Sequence, residues 1–145
     1  MKGLVQRVSH ASIVVDGETI GEIDNGILLL LGVEKDDTPE KASKLLDKVL
    51  KYRMFSDEEG KMNCSVTDIE GGVLVVSQFT LVAETRKGLR PSFSSGASPA
   101  LGKELYNQFV NMAKARHPKV STGRFGADMK VSLLNDGPVT FMLEV

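Results

Sequence analysis

The apolar stretches of this chain come in strand-length pieces, and that limits what it can fold into. The longest, such as Ile27 to Leu31, is the length of a strand, far short of the roughly eighteen apolar residues that a membrane helix needs. Gly3 to Val8, Ala11 to Val15, Glu18 to Ile23, Ile27 to Val33 and Gly72 to Val76 read as strands. Asp16-Gly17 joins two of them and suits the positive φ angles of a type I′ hairpin turn. Lys130 to Asn135 and Val139 to Val145 are expected to close the chain as a hairpin-like pair around Asn135-Asp136-Gly137-Pro138, residues that alone describe a routine turn.

Two segments carry helical periodicity instead. Thr38 caps the first, Pro39 occupies its first position, and Ala42, Leu45, Leu46, Val49 and Leu50 fall on one face. Ser98 and Pro99 start the second, with Leu101, Leu105, Phe109, Met112 and Ala113 as its buried stripe and His117-Pro118 as its stop. Between them, Tyr52 to Phe55 leads to a turn at Glu59-Gly60. Many strands with two amphipathic helices imply mixed sheets, curled and covered on one side by helices. A doubly wound nucleotide-binding topology is disfavoured, because neither GxGxxG nor GxxxxGK[ST] is present.

At 145 residues the chain has the size of one domain, 1–145, and its 41% hydrophobic and 26% charged residues are ordinary for a globular protein. No signal-peptide h-region opens it, so a cytoplasmic location is expected, with no membrane partner. The single Cys64 cannot form an intramolecular disulfide and reads as a small, partly buried residue. Two distant histidines and one cysteine give no metal-ligand set, so no metal and no cofactor are expected. His10 falls between two predicted strands and reads as a loop residue; His117 is accounted for by its helix end.

The formal net charge of −1 runs against a nucleic-acid partner at first sight. Distribution matters more than the sum. Acidic residues gather from Glu34 to Glu40 and at Asp57-Glu58-Glu59, whereas Arg86, Lys87 and Arg90 crowd one loop and Lys114, Arg116, Lys119 and Arg124 another region. That segregation allows a basic rim on an acidic body.

Two short motifs put unusual chemistry at strand ends. Ser77-Gln78-Phe79-Thr80-Leu81 brings two hydroxyls, an amide and an aromatic ring out of the buried run Gly72–Val76. Asn135-Asp136-Gly137-Pro138-Val139-Thr140 sets a Gly-Pro bond between two alternating segments. Together they resemble the signature pair of the D-aminoacyl-tRNA deacylases, which hydrolyse the ester joining a D-amino acid to tRNA. Gln6-Arg7-Val8, Thr85-Arg86-Lys87-Gly88 with Arg90-Pro91-Ser92-Phe93, and Thr122 to Met129 also resemble that family, in the same order and over essentially the whole chain.

The resemblance implies a three-layer, barrel-like fold with two main helices on one side, and the acceptor end of aminoacyl-tRNA as partner, contacted by Arg86, Lys87 and Arg90. It implies a cis Gly137-Pro138 bond whose carbonyl oxygens line the pocket, with Phe125 and Met129 of a matching block beside it. It also implies a homodimer in which each subunit inserts this turn into its partner's site. Arg7 then steadies the turn or the dimer, its plainer reading being a strand-end surface charge. A pocket that works by excluding the L side chain also admits glycine, so glycine misattached to alanine tRNA is an expected second substrate.

Ser77 and Thr80 are hydroxyls without an evident base, since neither histidine lies in a motif and no GxSxG elbow exists. An activated ester needs less: orientation, a water, and donors for the oxyanion. Backbone N–H groups of Gln78 to Thr80 are the expected donors, with the Thr80 hydroxyl ordering substrate or water, Gln78 shaping the pocket and Phe79 seating the terminal adenosine. Two other classes stay open at this point. A non-catalytic RNA-binding module would use the basic loop and Phe79, and a Thr- or Ser-dependent amidohydrolase would use Thr80 or Ser77 covalently.

Overall fold

The computed structural model describes residues 1–145. Its elements are β1 (Lys2–Val15), β2 (Glu18–Ile23), β3 (Gly26–Gly32), α1 (Pro39–Lys51), β4 (Phe55–Ser56), β5 (Met62–Cys64), β6 (Gly72–Ser77), α2 (Pro99–Arg116), β7 (Val120–Thr122) and β8 (Lys130–Glu144), with a short 3-10 turn, Phe79–Val82, directly after β6. The main sheet runs β2-β1-β3-β6-β7, with β8 on the other edge of β1. It is mixed: β1 is antiparallel to β2, β3 and β8, while β3, β6 and β7 are parallel.

β1 organises this sheet because it serves two neighbours in turn. Its first half pairs with β3 and its second half with β2, while β8 follows it almost end to end. The second half carries β2 over towards β7, where Ser121 Oγ donates to Glu22 O at 3.1 Å. The sheet thereby curls into a nearly closed barrel.

Strand periodicity then divides the core. Ile27, Leu29, Leu31, Val73 and Val75 point to the helices and join the larger cluster with Leu45, Leu46, Leu105 and Phe109. Leu28, Leu74 and Val76 point the other way, into the barrel, against Val8, Ala11 and Ile13. All five predicted apolar positions of α1 are buried. Thr38 Oγ1 accepts from Lys41 N and Ser98 Oγ from Leu101 N, so both helices are capped as expected. Asp16 and Gly17 take φ values of +50° and +78°, as a type I′ turn requires.

Three expectations need correction. The runs Gly3–Val8 and Ala11–Val15 are one strand, because β8 pairs along both halves and carries the backbone across the polar pair Ser9-His10. His10 is therefore an exposed strand residue paired with Leu134, not a loop residue. The carboxy-terminal segments do not form a hairpin with each other. Both pair with β1, Asn135 opposite Val8 and Thr140 opposite Gln6, so residues 136–139 leave the sheet as an excursion facing Arg7.

Candidate active site

The site-bearing turn exists because β6 runs out of partners. Val73, Leu74 and Val75 pair with β7, but the last residue with a β7 partner is Val75. Ser77 still lies opposite Leu31, and Gln78 N donates to Leu31 O at 2.8 Å. The chain then winds into the 3-10 turn, where Leu81 N reaches Gln78 O at 3.2 Å and Ala83 N reaches Thr80 O at 3.2 Å. Gly32, at the end of β3, makes room for it. A Cβ there would stand 2.8 Å from Val82 Cγ1 and 3.2 Å from Leu81 Cβ.

The turn brings Ser77, Gln78, Phe79 and Thr80 together. Ser77 and Gln78 are half-buried, Thr80 is exposed, and Phe79 is 68% exposed. The Gln78 amide donates to Thr80 Oγ1 at 2.5 Å, which fixes both side chains on one face. The N–H groups of Phe79 and Thr80 open the 3-10 turn and have no preceding carbonyl of that turn to bond. They are the donors this geometry offers to an incoming oxyanion.

Phe93 joins the site without having been singled out. Its ring lies 5.1 Å from that of Phe79, and it is 43% exposed. The loop that carries it is pinned by a bridge between Glu84 and Ser92 and by Ala97 N donating to Val33 O at 3.0 Å. An aromatic ring in a stretch of Gly, Ser and Arg has no core to fill, and that, with its place in the matching block Arg90-Pro91-Ser92-Phe93, is its signal in sequence.

No base serves the two hydroxyls. His117 is buried with Nε2 2.6 Å from Gly71 O, at the opposite end of β6, and His10 stands 3.7 Å from Glu22. Glu84, the nearest carboxylate along the chain, is tied to Arg86 through Nε at 2.8 Å and Nη2 at 2.6 Å. That hydrogen bonding holds its pKa down to about 2, which makes it a weak proton acceptor. It also compensates the Arg86 charge, so Lys87 and Arg90 are the cations that this exposed loop leaves without an ion-pair partner.

Phe125 and Met129 sit on the segment that continues past β7, anchored where Gly123 N donates to Val75 O at 3.1 Å. They separate. Phe125 packs on Tyr106 at 5.9 Å and over Gly102 of α2, while Met129 packs on Gly123 and the barrel core. Tyr106 donates its hydroxyl to Val75 O at 2.9 Å, and burial pushes its pKa up to about 12.

Gly137 and Pro138 lie elsewhere in the same chain. The Gly137-Pro138 bond is cis, and both residues are exposed. Arg7 Nε donates to Asp136 O at 2.8 Å and Nη1 to Met54 O at 3.0 Å, while Asn135 Oδ1 takes Val139 N at 2.7 Å and closes the neck of the excursion. The register sets Arg7 opposite Ile27, and Ile27 opposite Val73. Four residues of β6 then separate that level from Ser77, about 13 Å along the strands, with three strand spacings across the sheet as well. One copy alone does not bring the two motifs together.

Comparison with known proteins places this architecture. The family model described as D-Tyr-tRNA(Tyr) deacylase matches residues 4–144. A protein of Saccharophagus degradans named D-aminoacyl-tRNA deacylase is 64% identical over 143 residues, covering 99% of each chain. One of the same name from Pseudomonas entomophila is 62% identical over 145 residues and covers both chains completely. Among solved structures, one titled "c-Myc DNA Unwinding Element Binding Protein" superposes with a TM-score of 0.96 at 39% identity, covering 100% of this chain and 99% of the other. Another, titled as a probable eukaryotic D-amino acid tRNA deacylase, shares the fold at a TM-score of 0.85 and 18% identity, covering 99% of this chain and 98% of the other. No helix of the structure is long and apolar enough to cross a membrane. With the match running from residue 4 to residue 144 and relatives above 60% identity over the full length, the chain belongs to the D-Tyr-tRNA(Tyr) deacylase family.

Proposed function

We propose that the protein hydrolyses the ester of D-aminoacyl-tRNA in the cytoplasm, residues 1–145 acting as one deacylase domain. The observation that carries this reading is the 3-10 turn after β6, with its free N–H groups beside the coupled Gln78 and Thr80 side chains, in a chain of this family. Water attacks the ester carbonyl, the developing oxyanion is held by the main-chain N–H groups of Phe79 and Thr80, that of Gln78 being taken by Leu31 O, and the carbonyl re-forms as the tRNA 3′-oxygen leaves with a proton. Such a donor contributes about two to three orders of magnitude in rate. The Thr80 hydroxyl orders the water or the substrate, and Phe79 with Phe93 offers the terminal adenosine a stacking face. Lys87 and Arg90, with Arg86, meet the acceptor end.

Discrimination between enantiomers needs a rigid element where only the wrong side chain would go. Gly137-Pro138 of a second copy supplies it, with Phe125 and Met129 shaping the substrate side. Support comes from the excursion being exposed yet fastened at its base by Arg7 and Asn135. Leu133, Leu134 and Met142, exposed on either side of it along β8, give a second copy apolar surface to cover. A wall of this kind leaves glycine unhindered. A deacylation assay on D-Tyr-tRNA, L-Tyr-tRNA and glycine on alanine tRNA tests the reading: the first and third are hydrolysed and the second is spared. Hydrolysis of the L-substrate at a comparable rate, or of none, overturns it.

A further inference from the structure

Between α1 and Phe141 of β8 lies an open groove of about 560 Å³ with a strongly one-sided charge. Lys44, Lys48, Lys51 and Arg53 line it against the single carboxylate of Asp47, in a chain whose net charge is −1. The first three recur at helical spacing on one face of α1, rising about 6 Å and then about 4.5 Å along the axis. Lys51 is 76% exposed although it pairs with Asp47 at 3.0 Å, and Lys48 spends one donor on Glu144 O at 3.4 Å. The core of α1 needs none of these charges, since its buried face consists of Ala42, Leu45, Leu46, Val49 and Leu50.

Aromatic surface lies among the cations. Tyr52 and Phe141, both half-buried, meet edge to face at 5.2 Å in the floor of the groove. Cations interleaved with accessible rings are the pattern that single-stranded nucleic acid uses, phosphates on the charges and bases on the rings. An acidic protein would use the charges and leave the rings without a role.

Position supports the same occupant. The groove adjoins the Gly137-Pro138 excursion: Arg7 bonds both Asp136 O and Met54 O, thereby tying the excursion to the segment that carries Tyr52 and Arg53. Phe141 follows Pro138 by three residues on β8. Wherever the excursion docks, the groove goes with it.

We propose that this groove binds the phosphodiester backbone of the single-stranded 3′ end of RNA, so that the subunit supplying the chiral wall also holds the strand leading into its partner's ester site. The inference rests on the deacylase reading for the identity of the RNA, and on the groove alone for the binding of single-stranded RNA.

The test uses the full-length protein with Lys44, Lys51 and Arg53 replaced by Ala, beside a control in which Lys103, Lys114 and Lys130, all exposed and outside the groove, are replaced. Uncharged tRNA is titrated at several salt concentrations, and hydrolysis of D-Tyr-tRNA is compared with that of 3′-D-tyrosyl-adenosine, which has no phosphate. The groove variant should bind tRNA at least about tenfold more weakly and lose about two from the slope of log K against log salt. Its KM for D-Tyr-tRNA rises while its kcat and its hydrolysis of the adenosine ester stay at wild-type values. Unchanged tRNA affinity and salt slope, or an equal loss in the control, overturns the proposal. Failure of the wild-type protein to hydrolyse either ester would remove the deacylase reading, with the binding titration still deciding the groove.

Discussion

Thr80 carries two groups that could act on an ester, and they can be removed separately. Thr80→Ala deletes the hydroxyl and the bond from Gln78 but keeps the N–H. Thr80→Pro deletes the N–H in the first turn of a helix, where proline is tolerated. If the main chain holds the oxyanion, the alanine variant loses less than about tenfold in kcat and the proline variant about a hundred- to a thousandfold. The reverse order, or an acyl group trapped on Thr80, would make the hydroxyl the nucleophile. Gly137 is the other residue whose backbone matters. Its φ is +146°, and an added Cβ would stand 2.7 Å from Val139 Cγ2 and 2.9 Å from Val139 N. Gly137→Ala should cost about 1–3 kcal/mol at this excursion. The expected readout is a reduced ratio of D- to L-Tyr-tRNA hydrolysis, with the global melting temperature changed less than the selectivity.

Among the elements, β6 joins the site to the core, and Tyr106 of α2 is the link. Its hydroxyl is neutral in the fold until about pH 12, whereas an unfolded tyrosine ionises near 10. Above pH 10 the unfolded chain therefore holds fewer protons at this position, and stability falls until about pH 12. Below pH 10 the contribution is fully present. Urea denaturation at pH 8 and pH 11.5 should show Tyr106→Phe costing about 1 kcal/mol at the lower pH, from the lost bond to Val75 O. The variant then loses less than wild type on going to the higher pH, by an amount on the order of 1–2 kcal/mol. The helices, the Asp16-Gly17 turn and the alternation of β3 and β6 were legible in sequence, because caps, turn residues and period-two burial are local signals. The continuity of β1 was not, since Ser9-His10 breaks the apolar run and only pairing with β8 carries the strand through. For the same reason Asn135–Pro138 looked like a hairpin turn: its partner is Arg7, more than 120 residues away. In the site, SQFT was visible as a polar run after a buried strand, while the pairing of Phe79 with Phe93 depends on a loop path that no local rule sets.

For the molecule as a whole, the decisive relation is that the SQFT turn and the Gly-Pro excursion lie at different levels of one sheet. The proposed site is then complete only when two copies meet, and each dimer has two sites, each with a turn from one copy and a wall from the other. Mixing chains makes this testable. A dimer of Thr80→Pro chains lacks the donor in both sites, and a dimer of Gly137→Ala chains lacks a proper wall in both. In a mixed dimer, one site combines the two defects and the other combines the two intact parts. Random pairing makes half the dimers mixed, so about a quarter of the wild-type selective activity should appear from two defective preparations. The measurement is hydrolysis of D-Tyr-tRNA with L-Tyr-tRNA spared, after the two variants are unfolded and refolded together, beside each refolded alone. Were the turn and excursion of the same chain to form the site, every chain in the mixture would carry one defect and no selective activity would return.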